Sequence, residues 1–592
     1  MSKSWAYSRQ QLLLALAILL LLAVPALLPS FLIPVAITVF IYASLALGWN
    51  IVMGYTGQLS LAQTLFIGAG VYTPALLFIN YKISPWLGMW AGALIAVALA
   101  VFIGYVCFRY KVKGVYFSLV SIAFSQIGLA FVTTFKVLGG AHELFWPITG
   151  AAADFQFSSS APFYYIGLAM LGAMTFFAYF LRQTRTGYYF FAIRDNEEAA
   201  QAIGIDTMKY KIIALALSAF LTSVAGTYWV QYLGVAIARE QMGLGILILL
   251  ILCALIGGLG TVFGPILGAL FVVILGTLLR LYLPMIPGGA NVMIYAALLI
   301  LAILFMPQGI AGLLEKRFTR RGRTAAASET RPSIATVASS AAFLPAKKTS
   351  TSPLLKVDQL QKNFGGLRAV SDLSFQINPG EIVGLIGPNG AGKTTLFNLV
   401  SGFFPPASGE IVFDGKKLNG LRPDEICRLG LVRTFQTANP FSNLTVVDNV
   451  MLGAFVHCQK LSPAKEKAMH ILDAVGMAHR ASVPAKDLTF AEQRRLEFAR
   501  ALATDPALIL LDESMAGLTP TETKQAIDLI LRCRESGITF LIVEHVMPVI
   551  MTLAERVIVM NLGENMAQGT PQEIARNRQV IEAYLGEEAL VA

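Results

Sequence analysis

The chain has 592 residues, too many for one ordinary domain, and 56% of them are hydrophobic, above the usual share of roughly half. Its net charge of +10 is uneven: residues 1 to 313 carry a net +7, residues 314 to 353 a net +6 and residues 354 to 592 a net −3, so the basic excess reads as membrane topology and linker, not as a nucleic-acid footprint. Cys107, Cys253, Cys427, Cys458 and Cys533 include no C-x-x-C pair, which excludes the usual zinc-site and disulfide-framework patterns.

A helix needs about 20 apolar residues to cross a bilayer. The first half offers about ten candidate spans, near residues 12 to 29, 31 to 53, 60 to 80, 86 to 108, 114 to 135, 161 to 181, 212 to 235, 244 to 259, 262 to 283 and 291 to 308. With the N-terminus cytoplasmic, the inside loops hold Lys3, Arg9, Arg109, Lys111, Lys113, Arg182, Arg185, Arg194, Lys209 and Lys211, against Lys82, Lys136, Arg239 and Arg280 outside. This obeys the positive-inside rule with the first span retained and not cleaved as a signal peptide. An even number of spans returns the second half to the cytoplasm. The spans hold almost no ionisable groups, which gives an ion-coupled carrier little support. Glycines and a proline in IGGLGTVFGPILGA, residues 256 to 269, predict close helix packing.

Between the sixth and seventh spans, RTGYYFFAIRDNEEAAQAIGID runs from Arg185 to Asp206. A short helix is expected from Glu197 to Ile203, stopped by Gly204. Its place on the cytoplasmic side makes it a candidate contact for the soluble domain. Residues 314 to 353, rich in Ala, Ser, Thr and Arg without a sustained apolar period, read as a flexible linker spanning on the order of 30 to 35 Å. The expected organisation is therefore an α-helical polytopic membrane domain over 1–313, a linker over 314–353 and an α/β P-loop domain over 354–592.

GPNGAGKT, residues 387 to 394, follows the apolar run EIVGLI and precedes TLFNLVSGF, the strand, loop and helix context that a phosphate loop requires. Backbone N–H groups of Gly387, Pro388's neighbours Asn389, Gly390, Ala391 and Gly392, and the helix start at Lys393, Thr394 and Thr395 can surround phosphates. Lys393 supplies positive charge, and Thr394 can hold Mg²⁺. LILLDE, residues 508 to 513, reads as a buried strand with two acids at its carboxyl end, where ligands of such sheets lie. Asp512 can hold the Mg²⁺ shell and Glu513 can orient or deprotonate the attacking water. Gln436 in VRTFQ and His545 in LIVEHV follow β-like runs, from which a loop side chain can reach the γ-phosphate or its water, and Gln436 is a further candidate for Mg²⁺. Phe364 in KNFGG can stack on adenine. KDLTFAEQRRLEFARAL, residues 486 to 502, reads as a basic surface helix closed by a capping box between Thr489 and Glu492.

Together these residues resemble the ATP-binding cassette family over essentially all of 354 to 592. Phe364 falls at its adenine-stacking aromatic, GPNGAGKT at its Walker A, Gln436 at its Q-loop, LTFAEQ at its signature, LILLDE at its Walker B and His545 at its switch histidine. FGGLRAV, VRTFQ, QRRLEFARAL, AGLTPTET and GTPQEIARNRQVIEAYLGEE look like the ATPase of branched-chain amino acid importers. GQLSLAQTLFIGAGVYT, GVYFSLVSIAF, EEAAQAIGI and GGLGTVFGPILGA are similar to the permease of the same systems. The resemblance implies a natural fusion of permease and ATPase in the bacterial inner membrane, using ATP and Mg²⁺ and working with a periplasmic binding protein, a second permease subunit and a second ATP-binding subunit. Urea, amides or aromatic acids are alternative cargoes. It also implies that Thr489, Ala491 and Glu492 at the signature helix face a nucleotide held by the opposite ATPase.

The chain departs from the family pattern in several places. Phe490 and Ala491 stand where most members have two glycines, Ser514 where Pro follows the catalytic Glu, and Thr519 where an acid or amide is usual. Gln63 and Thr64 replace His and Ala, and LGGAHELFWP lacks a run of small polar residues. Ala491 motivates a rival reading, a membrane-tethered ATP-binding regulator with weak hydrolysis. An exporter half is disfavoured by the number of compact spans. The expected consequence of Ala491 is a methyl group crowding the closed site.

Overall fold

A computed structural model describes residues 19–27, 29, 31–140, 143–282, 290–305, 309–312 and 353–585. The linker expected at 314–353 therefore lies outside the described residues except for Pro353, as do Lys3, Arg9 and the start of the first expected span. The chain forms two compact units, one from residues up to Gln183 with Met208–Arg331, the other from Thr184–Thr207 with Pro332 onward.

In the first unit, seven helices among the described residues are long and apolar enough to cross a membrane: Leu32–Tyr55, Gln63–Tyr81, Pro85–Arg109, Val115–Thr134, Ser160–Arg182, Thr207–Leu233 and Ala238–Gly257. The other three of the ten expected spans are described only in part or as shorter helices. Residues 12 to 29 are described as helix only from 19 to 27, Gly264–Tyr282 qualifies as a shorter apolar helix over Gly264–Leu278, and Ala290–Phe305 has 16 residues.

Close backbone packing replaces hydrophobic driving force in such a helix cluster. A Cβ on Gly268 would lie 1.8 Å from the Cys253 carbonyl oxygen, which holds Leu244–Gly257 and Gly264–Tyr282 in a tight hairpin. Several buried polar side chains bond one another or the backbone across the helices. Gln63 Nε2 donates to Ser218 Oγ (2.7 Å) and Thr222 Oγ1 (3.0 Å), Thr64 bonds Ser125, and Asn50 bridges the turn after Gly257 by accepting from Gly260 N (2.8 Å) and donating to the Thr261 carbonyl (2.9 Å). The two residues that depart from the permease pattern, Gln63 and Thr64, are thus absorbed into helix packing.

The second unit is built on a six-stranded sheet in the order Leu431–Arg433, Leu508–Asp512, Thr539–Val543, Ile382–Ile386, Arg556–Asn561, Glu564–Gly569, parallel except for the last pair. Its central strands are buried throughout, as continuous apolar runs in a parallel sheet must be. An antiparallel sheet of Leu367–Ile377, Leu355–Phe364, Ser408–Phe413 and Lys416–Lys417 shares its core, where Val357, Phe375, Phe397, Ile411, Phe413, Leu508 and Ile558 cluster. Parallel pairing sets Val543 opposite both Asp512 and Leu385. The carboxyl ends of three strands consequently finish at one edge.

Candidate functional site

At that edge the strand Ile382–Ile386 runs into the loop 387–392, which opens the helix Lys393–Val400. Two glycines there are fixed by close approach: a Cβ on Gly387 would lie 2.1 Å from the Met560 carbonyl, and one on Gly392, at φ +98°, 2.3 Å from the Ala369 carbonyl. Lys393 Nζ donates to the carbonyls of Gly387 (2.6 Å) and Pro388 (3.0 Å), so the ammonium is folded back over the loop. Burial pushes the Lys393 pKa down, while Glu513 and Asp512 pull it up. Thr394 lies exposed on the first turn of the helix. Phe364, 44% exposed, ends a strand whose hairpin partner carries Ala369 against Gly392, and its ring meets Phe404 edge-on at 5.5 Å.

Glu513 sits immediately beyond the strand Leu508–Asp512 with φ +47°, a left-handed conformation uncommon for a residue with a Cβ. Its N–H donates to the Val543 carbonyl at 2.8 Å, which ties the bend to the neighbouring strand. The carboxylate is held on both oxygens: Gln436 Nε2 donates to Oε2 at 2.8 Å and His545 Nε2 lies 2.9 Å from Oε1. Three residues singled out by sequence, Gln436, Glu513 and His545, are therefore brought into direct contact. Asp512 is buried and accepts from Arg433 at 2.9 Å, and the same guanidinium reaches Asn398 Oδ1 on the phosphate-loop helix at 2.6 Å.

Thr489 and Glu492 form the expected capping box on the helix Phe490–Leu502, with Thr489 N donating to Glu492 Oε2 at 2.9 Å. Glu492 is further occupied by Arg480 Nε at 2.8 Å. The helix is not the basic surface helix that its composition suggests. Arg494, Glu497 and Arg500 are 8%, 4% and 2% exposed, because they bond to the backbone of residues 435–439. Glu544 was also not anticipated: its Oε1 accepts from Met515 N at 2.8 Å, and burial pushes its pKa up to about 7. Charged residues inside apolar runs, such as Arg433 closing LVR, are the only sequence signal for these roles.

Ala491 lines a cavity of about 60 Å³ with Ser514, Met515, Leu518 and Leu529, between its own helix and Pro520–Glu535. On the side that faces Pro520–Glu535 its methyl therefore has room. Ala491→Gly should leave steady-state ATPase of the complete complex within about threefold of the parent, a change below roughly 0.7 kcal/mol in barrier. A tenfold rise would show that the methyl crowds the closed site.

The segment Thr184–Thr207 belongs to this second unit. Asn196 caps the helix Glu197–Ala202 by accepting from Ala199 N at 2.8 Å, and Gly204 follows at φ +87°. Asp195 accepts from Asn443 N (3.0 Å) and Nδ2 (2.7 Å), Asp206 pairs with Arg422 (3.0 Å), and the Gly204 carbonyl accepts from Arg428 (3.0 Å). Tyr189 meets Phe455 edge-on at 5.7 Å.

Residues 31–304 match the family model described as the permease component of branched-chain amino acid transport systems, residues 370–516 that of ABC transporters, and residues 564–589 that of branched-chain amino acid ATP-binding cassette transporters. The chain is 41% identical over 251 residues to LivG of Escherichia coli (strain K12), a high-affinity branched-chain amino acid transport ATP-binding protein, covering 40% of this chain and 98% of that one. Against BraF of Pseudomonas aeruginosa, which carries the same description, identity is 39% over 251 residues with the same coverage. A crystal structure of a nucleotide-free ATP-binding cassette from an ABC transporter is 30% identical, covering 40% of this chain and 99% of that chain with a TM-score of 0.37.

Proposed function

This chain belongs to the branched-chain amino acid ABC transporter family, with permease and ATP-binding halves in one polypeptide, and from that premise we propose that it imports branched-chain or related hydrophobic amino acids across the bacterial inner membrane. It is a multi-pass membrane protein and an ATP hydrolase coupled to transport. The N-terminus and the ATPase lie in the cytoplasm, and the working assembly adds a periplasmic binding protein, a second permease and a second ATPase. Domain limits of 1–313, 314–353 and 354–592 serve this arrangement.

The observation that carries the chemistry is the carboxylate of Glu513, held between Gln436 and His545 beside the phosphate loop. Residues 387–395 bind the phosphates of ATP, Lys393 turns its ammonium from the loop carbonyls to the β- and γ-phosphates, and Phe364 stacks on adenine. Glu513 takes the proton of the attacking water. Gln436 and His545 fix the direction in which that carboxylate points. Thr394, Asp512 and Gln436 offer a hydroxyl, a carboxylate and an amide carbonyl, the hard oxygen donors that suit Mg²⁺. When bound, Mg²⁺ supplies charge neutralisation at the phosphates. Thr489, Ala491 and Glu492 place the N-terminus of the signature helix towards the partner's nucleotide. The loop segment Thr184–Thr207 carries the motion between the halves.

Reconstituted with its partner subunits and binding protein, the transporter should accumulate labelled leucine in an ATP-dependent manner, with leucine, isoleucine and valine competing and urea, simple amides and aromatic acids competing poorly. Accumulation of urea or an aromatic acid in place of leucine would reassign the cargo, and ATP-driven efflux would reverse the direction.

A further inference from the structure

The backbone from Thr434 to Pro440 forms neither helix nor strand. Gln436 nevertheless has to present its amide to Glu513, and the grip on this segment comes from one face of the helix Phe490–Leu502. Glu497 Oε1 accepts from Phe435 N at 3.0 Å, Arg494 donates to the carbonyl of Phe435 at 2.8 Å and to that of Gln436, and Arg500 donates to the Asn439 carbonyl at 2.9 Å. The residues recur every third position, so they stack along one side of the helix. Glu497 stands 3.8 Å from each guanidinium, which makes it the anion that allows two arginines to be buried together. Arg500 also lies over the Phe441 ring at 4.6 Å. Charge-assisted bonds to main-chain groups fix backbone direction more strongly than neutral ones.

We propose that Glu497, with Arg494 and Arg500, is a positioning group that holds the backbone at Phe435–Asn439 so that the Gln436 amide meets the Glu513 carboxylate. The cluster acts on the main chain of residues 435–439. It rests on the reading that Gln436 acts in hydrolysis, and it makes the signature helix part of the same cassette's own hydrolytic site. Loss of the Glu497 charge leaves the arginines mutually repelling and lets the segment drift, so turnover falls while nucleotide binding, which depends on residues 387–395, does not.

The test is a double-mutant cycle in the complete complex, using Glu497→Gln, Gln436→Ala and the pair. Gln436→Ala should lower kcat by tenfold or more, and Glu497→Gln by about tenfold with KM for ATP within about twofold. In the Gln436→Ala background, Glu497→Gln should cost less than about twofold further, because its route of action is already gone. Multiplying losses would overturn the proposal alone, as would a silent Glu497→Gln. A silent Gln436→Ala would remove the role of Gln436 and the proposal with it. Should Glu497→Gln fail to assemble, Arg494→Lys, which keeps the charge and loses the paired grip on two carbonyls, enters the same cycle with the same criteria.

Discussion

Glu513→Gln should reduce steady-state ATPase of the assembled transporter by at least about 100-fold, equivalent to roughly 2.7 kcal/mol of barrier, while ATP affinity stays within about threefold. The amide has the shape of the carboxylate but cannot accept the proton of the attacking water. Its geometry survives the exchange. Gln436 can still donate to the amide oxygen, and the imidazole of His545 can change tautomer to accept from the new NH₂, so both contacts now made to Glu513 remain available. The bend at φ +47° is held by the main-chain bond to Val543, which the substitution does not touch. Loss of turnover without loss of binding would therefore report chemistry and not collapse of the site. Equilibrium binding of labelled ATP and phosphate release measured on one preparation separate the two. Turnover within tenfold of the parent would mean that another group activates the water.

Features written in contiguous residues are legible in the sequence alone. The phosphate loop needs a strand, glycines and a lysine in fixed order, and the pair Asp512–Glu513 ends an apolar run, so both follow from spacing. Gln436 and His545 were placed by their positions after β-like runs, but their meeting on opposite oxygens of Glu513 depends on parallel strand register. Glu497 was not legible. A helix bearing Arg494, Arg495 and Arg500 reads as solvated until the loop that consumes those charges is folded against it. The cavity beside Ala491, formed with residues 514–530, is not legible in the sequence either. The break between the spans at 244 to 259 and 262 to 283 is legible in GGLGT and coincides with the turn after Gly257. The cytoplasmic place of Thr184–Thr207 makes it legible as a contact for the soluble domain, but its partners are not legible, since Asp195 and Asn443 are 248 residues apart and Asp206 and Arg422 are 216 apart.

Gly204→Val should lower amino acid uptake by tenfold or more, with ATP affinity within about twofold and ATPase no longer matched to uptake. Gly204 combines two requirements that valine cannot meet. Its φ of +87° is a conformation that a β-branched residue adopts only at considerable cost. Its added Cβ would lie 3.0 Å from Val456 Cγ2 and 3.5 Å from Cys427 Sγ, and valine adds two further methyl carbons in a place already closed. The turn must then open, and with it go the bond from Arg428 to the Gly204 carbonyl and the alignment of Asp206 with Arg422. None of these groups belongs to the phosphate loop or to the Glu513 cluster, so nucleotide binding is spared. The choice between a coupling element and an inert loop helix rests on this separation. Uptake that remains at the parental level, with uptake per ATP hydrolysed unchanged, would return Thr184–Thr207 to an ordinary packed loop. A fall in uptake that is restored neither by higher ATP nor by more binding protein would place the defect in the transfer of motion.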